Sequence, residues 1–198
     1  MLAPLGFPEK RVYAQSVEAL FVRALGPHLT REGRLRLKEA GLDLSEPLRP
    51  AYSLEQWKAF LGVAAGDVFP AASPQEAYEK LGERYLQGYR QTAQGRASMA
   101  LVTRLGPRPT LERLPHNVRA GNNFNEVRLE EVGASEATLW MKDVAADNPY
   151  FACGFIAETL RVAGAGTVSI HPVAFDGTSA TFRLTWTRAG ARPVAAGQ

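Results

Sequence analysis

The sequence predicts an α+β fold: N-terminal helices, one of them long, packed on a C-terminal four-stranded antiparallel sheet ordered strand-strand-helix-strand-strand. Three observations carry this. Apolar residues recur at helical spacing up to about residue 120 and alternate after it. Two hairpin signals, Gly133-Ala134-Ser135 and Asp176-Gly177, punctuate the alternating part. A single apolar helical run, from Asn148-Pro149 to Gly164, separates them.

Each element follows from local chemistry. Over residues 12–25, Val12, Tyr13, Ser16, Val17, Leu20, Phe21 and Ala24 fall on one helical face, and Gly26-Pro27 stops the run. Thr30 opens a short helix that Gly41 ends. Residues 42–52, with two prolines, read as an extended connector. Ser53-Leu54-Glu55-Gln56 is a capping box before a helix whose inner face holds Leu54, Trp57, Leu61 and Ala64.

Ser73-Pro74-Gln75-Glu76 starts a second capped helix. Its apolar stripe runs through Ala77, Leu81, Tyr85, Tyr89, Thr92, Met99, Val102 and Leu105 to a stop at Gly106-Pro107. Unbroken, this spine would be roughly 46 Å long at 1.5 Å per residue. Gly82, Gly88 and Gly95 within it invite close packing or a kink. Residues 109–117 suggest one short helical turn broken by Pro115, and Gly121-Asn122-Asn123-Phe124-Asn125 a turn cluster. Strands are expected over 126–132, 137–142, 167–174 and 179–187. Residues 1–188 are expected to form a single domain, helical over 1–120 and sheet over 121–188, with 189–198 a flexible tail.

Composition narrows the function classes. Apolar residues make up 45% of the 198, enough for a core, and no run approaches the 18 to 20 a membrane-spanning helix needs. The opening MLAPLGFPEK lacks the features of a secretory signal, so a cytoplasmic location is expected. The lone Cys153 excludes an internal disulfide framework and a cysteine zinc cluster. Of the small surplus of +3, residues 81–119 carry seven arginines against Glu83 and Glu112, an anion-facing stretch or a solvated helix face. It contains no nucleic-acid-binding motif, and nucleic acid is not expected as a partner.

Catalytic signatures are missing: no phosphate-binding G-x-x-x-x-G-K-[ST], no G-x-G-x-x-G, no H-E-x-x-H and no G-x-S-x-G. His28, His116 and His171 lie far apart, without metal-ligand spacing. Cys153, flanked by Phe151-Ala152 and Gly154-Phe155, reads as a small buried hydrophobe in preference to a nucleophile. The junction between helices and sheet concentrates hydrogen-bonding groups: Arg113, His116, Asn117, Arg119, Asn122 and Asn123 fall within eleven residues. They form either a recognition loop or a chain reversal.

One set of motifs is a family mark. Leu81-Gly82-Glu83-Arg84-Tyr85 with Gly88-Tyr89 and Thr92, Leu105-Gly106-Pro107 with Thr110-Leu111, Gly121-Asn122-Asn123-Phe124, the glycine-bearing helix after Pro149 and Trp186 together resemble a myxobacterial paralogous family of uncharacterised domains over about residues 15–187. More distantly, the topology and the Gly154…Leu160…Gly164 helix are similar to the superfamily of haem-nitric-oxide-binding sensors, vinyl-reductase-type ligand domains and TRAPP subunits. That resemblance implies a space between helices and sheet for haem or an apolar ligand, or an assembly surface. The haem sensors carry Y-x-S-x-R for the propionates; no such string occurs here, which disfavours haem even with His116 as a candidate axial ligand.

The expected function is therefore a non-enzymatic sensor or small-ligand-binding domain. Its apolar cavity would be lined by Tyr85, Tyr89, Trp140 and Phe155, with His116 beside it and Arg119, Asn122 and Asn123 at its mouth, for a small apolar or anionic ligand. The alternative is a protein-interaction or homodimerisation module without a small-molecule ligand. An enzyme using Cys153 or His116 ranks last, since neither has a partner of the kind a triad requires.

Overall fold

A computed structural model describes residues 9–144 and 148–188; the expected tail at 189–198 lies outside them. The first element of the described residues is a strand, β1 (Arg11–Tyr13), where helical spacing suggests helix. Val12 and Tyr13 pair with Tyr52 and Ala51 of β2 (Ala51–Ser53), so the proline-rich connector ends in a strand. The other edge of β1 takes the 121–123 loop: Tyr13 N–H donates to Gly121 O at 3.0 Å and Asn123 N–H to Arg11 O at 3.1 Å.

The helix begins only at α1 (Ala14–Val17) and continues as a π-helical segment over Glu18–Ala24. Thr30 caps α2 (Arg31–Glu39), its hydroxyl accepting from Gly33 N–H at 2.9 Å. Both predicted capping boxes form, at the starts of α3 (Leu54–Val68) and α4 (Pro74–Tyr89).

The expected spine is two helices. α4 stops at Tyr89, and Thr92 starts α5 (Ala93–Leu105). The Thr92 hydroxyl accepts from Gly95 N–H at 3.0 Å and donates to Tyr89 O at 2.8 Å. A buried threonine thus breaks the helix by satisfying the new N-terminus. Conversely, residues 107–117 form a full helix, α6 (Pro107–Asn117), instead of one turn. Pro107 sits at its first position, where no N–H is needed, and Pro115 falls in its last turn.

The sheet is as predicted: β3 (Glu126–Val132), β4 (Glu136–Lys142), β5 (Ala165–Phe175) and β6 (Ala180–Arg188), all antiparallel in the order β3-β4-β6-β5. Gly133 N–H donates to Glu136 O in the first hairpin, and the Asp176 carboxylate accepts from Thr178 and Ser179 N–H in the second. Pro172, which cannot donate to a ladder, lies at a bulge on edge strand β5. Helix α7 (Tyr150–Val162) lies on one face, its Ile156 and Leu160 packed with Leu139, Phe182 and Leu184 in one cluster. A second cluster, around Phe21, Trp57, Phe60 and Leu61, fills the N-terminal helices and reaches Leu81 of α4 and Phe151 of α7.

Candidate functional site

The two clusters meet around Tyr85. Tyr85 and Tyr89 are four apart on α4, so their rings lie nearly parallel at 6.3 Å. The Tyr85 ring also meets Phe151 and Phe155 of α7, each at 5.7 Å, and Phe151 meets the edge of Trp57. Its hydroxyl lies 3.1 Å from that of Ser16 on α1. Ser16 donates its one proton to Gly121 O at 3.0 Å, so the Tyr85 hydroxyl donates to Ser16. This chain joins α4, α1 and the 121–125 loop. Burial pushes the Tyr85 phenol up to about 12.

Two adjacent cavities share Tyr85, Phe155, Val118 and Gly121. The smaller, about 70 Å³, lies towards Ser16, Trp57, Asn122 and Phe151. The larger, about 180 Å³, lies under α5 towards Tyr89, Ser98, Val102, Leu114 and His116. Both differ in place from the expectation of a space between helices and sheet. The sheet contributes only Met141 to the smaller and nothing to the larger, because α7 already fills the sheet's inner face.

Five of the eight residues singled out by sequence reach these cavities: Tyr85 and Phe155 both, Asn122 the smaller, Tyr89 and His116 the larger. Three do not. Trp140 projects from the opposite face of β4 to Leu139 and Met141, with the Arg128 guanidinium 4.8 Å from its ring centre. Arg119 is exposed in the 3-10 turn Val118–Ala120. Asn123 is committed to the backbone, accepting from Arg11 N–H at 2.7 Å and donating to Glu9 O at 3.0 Å. Asn122 is a turn former as well, its carbonyl oxygen accepting from Phe124 and Asn125 N–H. The sequence reading missed Ser16 and the α5 residues Gln94 and Ser98; a serine inside an apolar stripe was the available signal for Ser16.

Burial pushes the Cys153 thiol up to about 12, with the Glu79 carboxylate adding to it. At neutral pH it is a protonated, buried side chain, unsuited to nucleophilic attack. Among the described residues, no group of three or more His, Cys, Asp or Glu is placed to hold a metal ion, and no helix is long and apolar enough to cross a membrane.

A profile of the family described as "protein of unknown function (DUF2378)" matches residues 10–187. The chain belongs to that family. No curated protein matches this DUF2378 sequence. Among solved structures, it is similar to the Fe(II) unliganded H-NOX protein from K. algicida, with a TM-score of 0.63 at 14% identity, covering 90% of this chain and 97% of that one. An oxygen-binding H-NOX domain related to soluble guanylate cyclases gives 0.58 at 11% identity, over 90% and 94%. The H-NOX protein from S. oneidensis in its Fe(II)NO state gives 0.60 at 9%, over 88% and 98%. At such identities the likeness shows the fold, and this DUF2378 chain has the α+β fold of the H-NOX domains.

Proposed function

We propose that this chain is a sensor or ligand-binding domain without chemistry of its own, and that a small molecule sits in the seam around Tyr85. The observation that carries the reading is the pair of cavities meeting at Tyr85 and Phe155, ringed by aromatic side chains where two hydrophobic clusters join. Concave, mostly apolar sites with a few polar groups are the usual form of such pockets. The fold shared with H-NOX domains agrees with it.

Haem is not the ligand of this reading, because the residues do not fit it. The larger cavity, at about 180 Å³, suits a single small ring and not a porphyrin. Among the described residues no arginine lines either cavity to meet a propionate, and His116 is exposed at the last turn of α6.

The interaction-module alternative has less behind it. Of the exposed large apolar side chains among the described residues, Tyr13, Val22, Leu35 and Leu101 stand on four separate segments and only Val173 and Phe175 share one, edge strand β5; exposure this scattered is ordinary.

Native mass spectrometry of the freshly purified protein tests the reading. The expected result is a small-molecule adduct that denaturation releases and that the cavity-filling Val102→Phe loses. A bare polypeptide mass, with no small-molecule probe shifting Tyr85-seam resonances in NMR, would refute it.

A further inference from the structure

We infer that the larger cavity, under α5, takes a compact apolar molecule about the size of one six-membered ring, bearing a single uncharged polar head group. This rests on the proposed ligand-binding function and adds to it the size and charge of the ligand.

Size follows from volume. A cavity of about 150 Å³ lined by aliphatic and aromatic side chains holds benzene. At about 180 Å³, with Leu86, Val102, Leu114 and Phe155 among its walls, this one holds such a ring and a short substituent. A long acyl chain exceeds it.

The charge of the head group follows from the polar lining. Of the inner hydroxyls, Thr159 donates to Phe155 O at 2.8 Å, and the Tyr89–Ser98 pair, at 3.3 Å, uses one of its two protons and leaves the other for a ligand. Gln94, His116 and Asn117 also line the cavity, are exposed, and make no side-chain hydrogen bond to another described residue. Their amide and imidazole groups are available to a hydroxyl arriving from solvent. No Asp, Glu, Lys or Arg lines the cavity, so an ammonium or a carboxylate would each enter without a counter-charge and lose hydration uncompensated, which leaves an uncharged head group favoured.

The test is isothermal titration of the whole chain with four probes: cyclohexanol, cyclohexanecarboxylate, cyclohexylammonium and dodecanoate. Cyclohexanol binds, and cyclohexanecarboxylate and cyclohexylammonium each bind at least about tenfold more weakly. Val102→Phe abolishes binding. Because Val102 is buried, circular dichroism checks that variant's fold. The double variant His116→Ala/Asn117→Ala alters only exposed side chains and weakens cyclohexanol about tenfold.

Equal binding of either cyclohexyl ion, tighter binding of dodecanoate, or no binding of cyclohexanol overturns the inference. The two readings fail separately. A co-purified adduct of another class overturns this inference and leaves the ligand-binding function standing, whereas a bare mass together with silent ring probes removes both.

Discussion

Gly82 of α4 and Gly154 of α7 let the two helices touch backbone to backbone. A Cβ on Gly82 would collide with the carbonyl oxygen of Phe151, and one on Gly154 with that of Glu79. The contact is reciprocal, so neither helix can yield without moving the other, and it holds Phe151 and Phe155 against Tyr85. Gly82→Ala and Gly154→Ala are each expected to destabilise by about 2–4 kcal/mol. Gly66→Ala, in the last turn of α3 with nothing within 4 Å, is expected to stabilise by about 0.5 kcal/mol through helix propensity alone. Urea midpoints of the three variants check the contrast in sign; a neutral Gly154→Ala would mean that α4 and α7 do not approach this closely.

The sheet was legible because its signals are local: alternation, two turns and one amphipathic helix. The break after Tyr89 was not, because Thr92 continues the apolar stripe and its capping role depends on a buried position that only tertiary packing provides. β1 and β2 escaped because three residues are too few for a period, and their pairing joins positions far apart in the chain. At the site, helical spacing placed Tyr85, Tyr89 and Phe155 on faces that do meet. Trp140 was assigned by its apolarity, whereas the alternation Ala137, Leu139, Met141 already turned it to the other face, where it shelters under Arg128.

Thr110 is 1% exposed on α6, and its hydroxyl has no hydrogen-bond partner among the described residues. A buried hydroxyl left unpaired loses water and gains nothing. Thr110→Val keeps the shape, removes the polar atom and is expected to stabilise by about 1 kcal/mol. That corresponds to a rise in Tm of about 2–4 °C for a chain of this size. A lower Tm would mean that the hydroxyl has a partner after all.

Two buried acids set an alkaline limit on stability. Burial raises Cys153 from 9.0 to about 12 and Tyr85 from 10.0 to about 12. Both are neutral when protonated, so as pH rises the unfolded chain releases these protons first. Their stabilising contribution is therefore complete below about pH 9 and is lost between about 9 and 12. Urea unfolding should give a free energy that falls from ~pH 8.5 to ~pH 10.5, with a shallower fall in Cys153→Ala. In the native protein at ~pH 8.5 the thiol should resist iodoacetamide and react once urea unfolds the chain. Rapid native alkylation would contradict the burial of Cys153.

Helix α5 is the least anchored wall of the seam. It buries two of its thirteen residues, Gly95 and Val102, whereas α7 buries eight of thirteen. It is flanked by the break at Thr92 and by Gly106, whose φ of +84° only glycine adopts without strain. Sparse burial between two chain breaks favours local opening without global unfolding. Amides of residues 93–105 are expected to exchange with deuterium at least about tenfold faster than those of 150–162. Ser98, Met99 and Val102 line the larger cavity, so cyclohexanol should slow exchange in α5 selectively. Equal protection of the two helices would make α5 a fixed wall, and any ligand would then have to enter past Gln94, His116 and Asn117 through the existing mouth.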